Sequence, residues 1–283
     1  MNQHHYQIRT MTRDELALAI DWAAVEGWNP GLYDLDSFWA ADPSGFLIGL
    51  LEGEPIACIS AVQYDEHFGF IGFYIVKPAY RGQGYGIQIW QAAIDRLAGR
   101  TVGLDGVVSQ QGNYRKFGFQ LAYQNIRYQG ISTQWQQPSG GIIAITECPW
   151  EAITQFDRRL FTAARSDFLA SWLKQPESHA FACMEQGQVA GYGMVRVCQS
   201  GFKIGPLFAK TPVQANLLLQ ALQGALPPGS VYYLDMPAIN TQTEDWVERY
   251  ALQPVFETAL MYLGKAPDTP IQQVYGVTSF ELG

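Results

Sequence analysis

A glycine-rich loop between a strand and a helix constrains the fold of this chain more than any other feature of the sequence. The apolar run from Phe70 to Val76 has the composition of a buried strand, and Pro78 ends its ladder of hydrogen-bond donors. The segment from Arg81 to Gly86 then alternates glycine with larger residues, and an amphipathic helix follows. Glycine lacks a Cβ atom, so the backbone can approach a phosphate, and the free N–H groups of a helix start favour an anion. The segment therefore predicts a phosphate-binding turn.

Two common nucleotide-binding loops do not match this segment. A P-loop ends in Lys followed by Ser or Thr, and a Rossmann loop is followed, about 20 positions later, by an acidic residue at the end of a second strand; the sequence has neither feature. Its pattern Arg-x-x-Gly-x-Gly, opened by Arg81, resembles the acyl-coenzyme A signature of the GNAT acetyltransferase superfamily. The resemblance implies that the coenzyme is held by a continuous run of residues, namely Arg81, Gly82, Gln83, Gly84, Tyr85, Gly86 and Ile87.

Length and charge limit the classes of protein that fit. With 283 residues the chain is long enough for two domains of about 140 residues each. Because 48% of the residues are hydrophobic and only 16% are charged, large cores can form and disorder is disfavoured. A net charge of −8 argues against a nucleic-acid partner or an anionic membrane surface, since both require clustered Lys and Arg. A cationic substrate is favoured instead.

The cysteines and the apolar segments indicate a compartment. Cys58, Cys148, Cys183 and Cys198 stand singly, without Cys-x-x-Cys spacing or a nearby histidine that would suggest a zinc site, so buried reduced thiols and no metal site are predicted. The first residues lack the pattern of a signal peptide, and no apolar run reaches the ~20 residues of a membrane span. We therefore expect a cytoplasmic protein without a membrane partner.

The first half of the chain is predicted to be mixed α/β. Thr12 and Glu15 form a capping-box pattern at the start of a helix. Strands are predicted at 46–51, 56–62 and 70–76 as an antiparallel meander, and the helix after the glycine loop precedes a strand at 101–108, a short helix at 113–117 and a strand at 119–128. This order is similar to that of GNAT domains.

The second half repeats the features of the first. Leu104-Asp105 recurs as Leu234-Asp235, and the strand at 119–128 recurs at 252–262. The repeat ends at the glycine loop, because the equivalent segment from Thr211 to Ala215 has neither glycine nor arginine. We predict an α/β (α+β) protein of two tandem GNAT-like domains, each with a mixed, mostly antiparallel sheet flanked by helices. A catalytic domain is expected at 1–130, a linker at 131–141, and a degenerate domain without a coenzyme loop at 142–283.

Several roles in acetyl transfer follow from the resemblance. In GNAT proteins the strand before the loop bulges, and its backbone contacts the pantetheine arm and the thioester, which assigns those roles to Ile75 and Val76. Asn113 and Tyr114 precede Gly118 with spacing similar to the second GNAT motif. Tyr114 is then the general acid that protonates the leaving sulfur. Asn113 either contacts the pantetheine arm or caps the short helix.

The general base and the acceptor pocket are less constrained. The strand at 70–76 lacks the glutamate that many GNAT domains place there, so Glu26, Asp65 and Glu66 are the candidate bases. Each of them fits a solvated loop charge better than a base, and a base that acts through water is the alternative. The segment with Glu26, Trp28 and Asn29 lies where GNAT domains shape the acceptor pocket, and a carboxylate beside a tryptophan suits a cationic amine. A helix-ending turn is the alternative. Equivalent placement of Asp105 and Asp235 in both halves favours a structural role for each.

The function predicted from these features is transfer of an acetyl group from acetyl-CoA, as cosubstrate, to an amine on a small molecule or peptide. The amine would attack directly in a ternary complex. Two alternatives remain open: a non-catalytic acyl-CoA-binding sensor, which the missing strand glutamate favours, and an interaction protein in which the second half binds a partner. The sequence does not indicate an oligomeric state.

Overall fold

One order of secondary-structure elements occurs twice along the chain. The structure, a computed structural model, describes residues 5–133 and 141–283. Its helices are α1 Arg13–Val25, α2 Asp34–Ala41, α3 Tyr85–Arg96, α4 Gln111–Lys116, α5 Trp150–Phe161, α6 Ser166–Trp172, α7 Pro212–Gly224 and α8 Glu244–Arg249. Its strands are β1 Tyr6–Thr10, β2 Phe46–Leu51, β3 Glu54–Gln63, β4 Phe68–Val76, β5 Thr101–Val107, β6 Gln120–Ile131, β7 Ile142–Ala144, β8 Ser178–Glu185, β9 Gln188–Val197, β10 Phe202–Ala209, β11 Val231–Pro237, β12 Gln253–Leu263 and β13 Val274–Gly276.

Local signals fix the start of the first helix. The Thr12 hydroxyl accepts a hydrogen bond from the Glu15 N–H, and the Glu15 carboxylate accepts one from the Thr12 N–H. This reciprocal capping satisfies two backbone donors that a helix start leaves free. The buried face of α1 then runs from Leu16 to Ala23 at helical spacing. The capping-box prediction is confirmed.

The strands of the two halves interlock in one sheet. Among the described residues the order is β1-β2-β3-β4-β5-β12-β6-β11-β10-β9-β8-β7, with β13 paired to β10. The last long strand of each half therefore pairs with a strand of the other half. Strand β12 of the second half lies beside β5, and strand β6 of the first half lies beside β11. The pairing is antiparallel except between β4 and β5 and between β10 and β11. The predicted fold class, two tandem α/β units with mostly antiparallel sheet, is confirmed.

This exchange bears on the expected domain boundaries. Residues 1–130 and 142–283 carry matching sets of elements, but neither set completes its sheet without a strand from the other. Strand β6 also continues to Ile131, so the first residue of the expected linker belongs to the sheet. Most of that linker, residues 134–140, lies outside the described residues. Division of the chain near residue 130 would remove β12 from between β5 and β6, so the halves are expected to fold together.

The hydrophobic core also crosses between the halves. One large cluster joins α1 and α2 of the first half to α5 and α6 of the second. Within it the rings of Phe38 and Trp172 stack, with centroids 5.9 Å apart. On the other face of the sheet, α3 covers the first half and α7 covers the second, each over its own cluster.

Buried ion pairs join the halves, one of them at an exchanged strand. Arg127 of β6 donates two hydrogen bonds to Asp235 of β11, at 2.6 and 2.8 Å. Arg196 of β9 likewise donates to Asp34 of α2 at 2.8 Å. All four side chains are buried. Loss of one partner leaves the other as an uncompensated buried charge, which is costly even where the pair itself adds little net stability.

The Arg127–Asp235 pair generates a test of this interlocked fold. Replacement Arg127→Met should lower the free energy of unfolding by about 3–5 kcal/mol, because Asp235 stays buried and unpaired. The exposed pair Arg249–Asp245 in α8 provides the control, since Arg249→Met should change stability by less than about 1 kcal/mol. Urea unfolding with two optical probes measures both.

Coincident transitions from the two probes are expected, because the exchanged strands couple the halves. The double variant with Arg127→Met and Asp235→Leu should regain most of the lost stability. Two separate transitions, or equal effects of the two arginine variants, would contradict the structure.

Candidate functional site

A cavity of about 640 Å³ opens where β4 and β5 diverge. Their parallel pairing ends at Ile71 and Leu104, and beyond that point the edge of β4 that faced β5 borders the cavity. Ile75 and Val76 line the cavity there, as do Tyr114 and the glycine loop. The cavity therefore brings together most of the residues to which the sequence assigned the coenzyme.

A bulge in β4 produces the divergence. Cys58 of β3 pairs with Ile75 of β4, and Ser60 pairs with Gly72, so β4 contains one extra residue in this interval. The extra residue lies at Phe73 or Tyr74. Phe73 has φ +48°, a conformation that a residue with a side chain adopts only under constraint. The Ser60 hydroxyl accepts a hydrogen bond of 2.8 Å from the Gly72 N–H and holds the bulge on its β3 side. The bulge turns the rest of β4 away from β5.

The glycine loop is shaped as an anion cradle. Gly82 and Gly84 have φ of +74° and +87°, and a Cβ atom built on either would meet nothing within 4 Å. Among the described residues, the N–H groups of residues 82–84 have no backbone or side-chain acceptor, and no side chain caps α3. Free donors, an uncapped helix start and open space fit a pyrophosphate. Gly86 has another role, because a Cβ there would lie 2.7 Å from the Tyr74 hydroxyl.

The second half has filled the equivalent space with its own chain. Only Lys210 and Thr211 separate β10 from α7, and the Thr211 hydroxyl accepts a hydrogen bond from the Gln214 N–H at the helix start. The gap beside β10 is occupied by β13, which pairs Gly276 with Leu207. The second half thus differs from the first both in the glycine loop, as the sequence predicts, and in the gap beside the strand before it.

Tyr114 lies at the inner end of the cavity, on α4. Its ring is buried and stacks on Trp90 with centroids 5.4 Å apart. A Cβ atom at Gly106 would overlap the Tyr114 ring, so glycine is required there for this placement. Burial, with a smaller contribution from Tyr74, raises the pKa of Tyr114 to about 12. The hydroxyl is therefore a proton donor at neutral pH.

Asp105 is a site residue that the sequence analysis assigned to structure. It lies in β5 next to the last β4–β5 pair and lines the cavity. Its Oδ1 accepts hydrogen bonds from Asn125 Nδ2 at 2.8 Å and Thr258 Oγ1 at 3.1 Å. Burial raises the pKa of Asp105 to about 7, although both hydrogen bonds favour the charged form. A purely structural assignment is therefore incomplete.

The predicted acceptor segment reaches the cavity only in part. Glu26 and Trp28 line it, and the Glu26 carboxylate forms an ion pair with Arg81. Arg81 also donates to the Val76 carbonyl at 2.7 Å, so this pair fixes the start of the loop. Asn29 is not among the lining residues and instead exchanges two hydrogen bonds of 2.9 Å with the Ser200 backbone. Asn29 therefore joins the halves.

Other predicted residues lie outside the cavity lining. The Asp65 carboxylate accepts hydrogen bonds from two N–H groups in its own turn, and Glu66 contacts His67. Exposed Asn113 contacts Gln110, which immediately precedes its helix, and Lys116 within the helix, and it does not cap the helix. Neither Gln83 nor Tyr85 is among the lining residues, although their loop is.

The second half supplies a wall that the sequence analysis missed. Phe256 and Thr258 from the exchanged strand β12 line the cavity, as do Phe280 and Glu281. A Cβ atom at Gly72 would overlap the Glu281 carbonyl, so the segment 280–281 packs directly on the β4 bulge. No local motif marks these residues, because only the strand exchange brings them to the first half.

Residues 5–133 and 141–283 contain neither a candidate metal site nor a candidate membrane span. No group of three or more His, Cys, Asp or Glu side chains in these ranges could hold a metal ion. No helix in the same ranges is both long enough and apolar enough to cross a membrane.

Comparison with known proteins identifies similarity in both halves. A model described as acetyltransferase (GNAT) family matches residues 11–119, and one described as acetyltransferase (GNAT) domain matches residues 153–276. Holothin acyltransferase of Pseudoalteromonas sp. (strain SANK 73390) is 29% identical over 100% of this chain and 97% of its own length.

Solved structures share the whole fold. A putative acetyltransferase from Pyrococcus horikoshii has a TM-score of 0.83 at 22% identity and covers 100% of both chains. A tandem GNAT protein from the clavulanic acid biosynthesis pathway, solved without AcCoA, has a TM-score of 0.64 at 11% identity, over 93% of this chain and 100% of its own. Both likenesses concern the fold.

The raised pKa of Asp105 predicts a pH effect on stability. Its ordinary pKa in the unfolded chain is about 3.9, so between about pH 4 and about pH 7 the folded protein binds more protons than the unfolded one. The contribution of Asp105 to stability should therefore fall as pH rises through that window. In Asp105→Asn this fall should be absent, whereas Asp21→Asn, at an exposed position, should keep it.

Urea unfolding of these variants at about pH 5 and about pH 8 measures the effect, with carboxyl NMR titration of Asp105 as the direct check. Titration of Asp105 near its ordinary pKa would show that burial does not control this carboxyl.

Proposed function

The chain belongs to the GNAT acetyltransferase superfamily, with one such domain in each half, and from this premise we propose that it transfers an acetyl group from acetyl-CoA to an amine. The observation that carries the proposal is the single cavity in which the glycine loop, the divergent edge of β4 and Tyr114 meet. In the second half the edge of β10 that corresponds to the cavity edge of β4 is covered, because β13 pairs with it. We therefore place one active site in each chain.

The residues of the cavity suit successive parts of acetyl-CoA. The free N–H groups of residues 82–84, together with the N–H groups in the first turn of α3, would bind the pyrophosphate. The edge of β4 at Ile75 and Val76 has no strand partner on the cavity side and would contact the amide groups of the pantetheine arm, although the Val76 carbonyl already accepts a hydrogen bond from Arg81. The thioester would then lie near the apex where β4 leaves β5, beside Tyr114 and Asp105.

The reaction we propose is direct attack in a ternary complex. The amine nitrogen bonds to the thioester carbonyl carbon, and the carbon–sulfur bond breaks. Tyr114 gives its hydroxyl proton to the departing sulfur, a role that its raised pKa permits because the group stays protonated until needed. Backbone N–H groups of the β4 bulge are the available donors for the carbonyl oxygen.

A compact cationic amine fits the acceptor end better than a folded protein surface. The cavity of about 640 Å³ lies within the range of small-molecule sites, and part of that volume would hold the coenzyme. Trp28, Phe256 and Phe280 provide aromatic walls, two of them from the second half. The net charge of −8 favours a cation. The name of the Pseudoalteromonas relative, an acyltransferase, is consistent with this reaction class.

The direct test is product formation from acetyl-CoA and a defined panel of amines: phenethylamine, tryptamine, spermidine and a lysine-containing tetrapeptide. Release of free thiol together with the acetylated amine, identified by mass spectrometry, is the expected result. Calorimetry on the same samples measures coenzyme A binding. Binding without release would favour an acyl-CoA sensor, and absence of binding would favour an interaction protein.

Gly84 provides a test of the coenzyme cradle. Gly84→Val should abolish coenzyme A binding, because its side chain would fill open space beside the free N–H groups and strain the loop at φ +87°. Gly53 is the matched control, since it has φ +83° and equally open surroundings in the turn between β2 and β3. Calorimetry should show loss in Gly84→Val and retention in Gly53→Val. Equal binding by both would exclude the loop as the phosphate site.

Tyr114 provides a test of the leaving-group step. Tyr114→Phe removes one hydroxyl and keeps the ring that stacks on Trp90, so coenzyme A affinity should stay within about twofold while turnover falls about 100-fold or more. Tyr80→Phe is the control, because this tyrosine also lines the cavity but belongs to the loop. Stopped-assay thiol release gives the turnover. A Tyr114→Phe variant as fast as Tyr80→Phe would remove Tyr114 from the chemistry.

A further inference from the structure

Two aspartates at equivalent positions of the duplicated halves have opposite surroundings. Asp235 in β11 is buried, and both its oxygens accept hydrogen bonds from Arg127. Burial would raise the pKa of Asp235, but the Arg127 charge reverses this and lowers it. Asp105 in β5 is only partly buried and accepts hydrogen bonds from neutral donors alone, both at Oδ1. Of the two equivalent aspartates, Asp235 is therefore paired with a positive charge and Asp105 is not.

The exchanged strands explain this difference. In the β6–β11 pairing Arg127 stands directly opposite Asp235. In the β5–β12 pairing the residue opposite Asp105 is Leu260. No ion pair to Asp105 occurs within the described ranges. The first half has kept the carboxylate and lacks the guanidinium.

Asp105 also has the position that a proton acceptor needs. Its Oδ2 has no hydrogen-bond partner among the described residues and is not one of the fully enclosed polar atoms. Asp105 lines the large cavity and also a second one of about 60 Å³, which Tyr123 and Tyr262 border. The second cavity is large enough for water, which gives a proton on Asp105 a route away from the acceptor.

From these observations we propose that Asp105 is the general base of the acetyl transfer proposed above, on which this assignment rests. Asn125 positions Asp105, as does Thr258, a residue that the second half contributes. The amine nitrogen forms the new carbon–nitrogen bond while its proton passes to Asp105 Oδ2. The carbon–sulfur bond breaks, and the sulfur takes the hydroxyl proton of Tyr114. Asp105 then releases its proton to water and Tyr114 regains one, which leaves one amide and one thiol. An acceptor that arrives as an ammonium ion first loses one proton to solvent.

The groups around Asp105 suit it to this role near neutral pH. Burial raises its pKa, and the hydrogen bonds from Asn125 and Thr258 oppose that rise. The negative charges of Asp235 and Glu281 add to it. The phenols of Tyr123 and Tyr262 also face Asp105, but burial raises the pKa of each, so they are neutral in this range. A base whose pKa lies near the working pH is efficient, because it is both ionised and basic enough to take the proton.

Thr258 gives the second half a direct part in the chemistry. Its hydroxyl donates to Asp105 from β12, the strand that the second half inserts beside β5. Asn125, directly opposite Thr258 in the β6–β12 pairing, donates from the other exchanged strand. Both hydrogen bonds end on Oδ1 and so turn Oδ2 away from the sheet partners. We regard Thr258 as a positioning residue, because it acts through Asp105.

Four variants test the assignment: Asp105→Asn, Thr258→Val, Thr258→Ser as the conservative control that keeps a hydroxyl, and Asp21→Asn as the exposed-carboxylate control. For each, calorimetry gives coenzyme A affinity. Thiol release from acetyl-CoA, with the panel amine that the unsubstituted protein uses best, gives kcat and KM from about pH 6 to about pH 10. Circular dichroism checks the fold.

Asp105→Asn should lower kcat about 100-fold or more and keep coenzyme A affinity within about twofold. It should also remove the acid limb, the fall of kcat on the acid side that we expect near pH 7 for the unsubstituted protein. Thr258→Val should move that limb to higher pH by up to about one unit, since one hydrogen bond to the charged form is lost. Thr258→Ser should restore it, and Asp21→Asn should not move it.

Near-normal kcat with an unchanged acid limb in Asp105→Asn would overturn the base assignment, and an unmoved limb in Thr258→Val would overturn the positioning role. If Asp105→Asn does not fold, the position of the acid limb in the pH profile of Thr258→Val decides whether Asp105 is the base. Failure of the unsubstituted protein to release thiol with any panel amine would instead overturn the acetyl transfer itself, which separates the two failures.

Discussion

The pairing of β6 with β12 at the centre of the sheet is the constraint on which the rest of the structure depends. Each of these strands belongs by sequence to one half and by hydrogen bonding to the other. The exchange brings Arg127 opposite Asp235, Thr258 beside Asp105, and the aromatic side chain of Phe256 to the large cavity. The cavity of the first half is therefore incomplete without the second, even though the glycine loop lies in the first half.

Local pattern was sufficient to predict the elements but not their partners. The capping box at Thr12, the apolar strand before the loop and the internal repeat each depend on residues that are close in sequence, and the structure contains them as expected. Strand exchange depends on which of two equivalent edges a strand meets. Strand alternation fits both edges equally well, because β6 and β12 are repeats of each other. The short first strand, Tyr6–Thr10, was also missed, since five residues give little periodicity.

The same distinction separates the site residues that the sequence indicated from those it missed. The glycine loop and Tyr114 carry local motifs, and both line the cavity. Asp105 carries none, and its equivalence to Asp235 suggested a shared structural role. What distinguishes the two is the residue opposite each, Leu260 or Arg127, more than 100 positions away from its aspartate. The chemical character of a carboxylate depends on such neighbours, and they are set by tertiary pairing.

The short strand β13 connects the covered edge of β10 with the wall of the cavity in the first half. It occupies the gap beside β10, and the chain that leaves it passes Gly205 and reaches the cavity wall at Phe280 and Glu281. Withdrawal of β13 from β10 would therefore also displace the segment that forms part of the cavity wall in the first half. One short segment of the chain, residues 274–281, thus covers the edge of a strand in the second half and completes the cavity of the first.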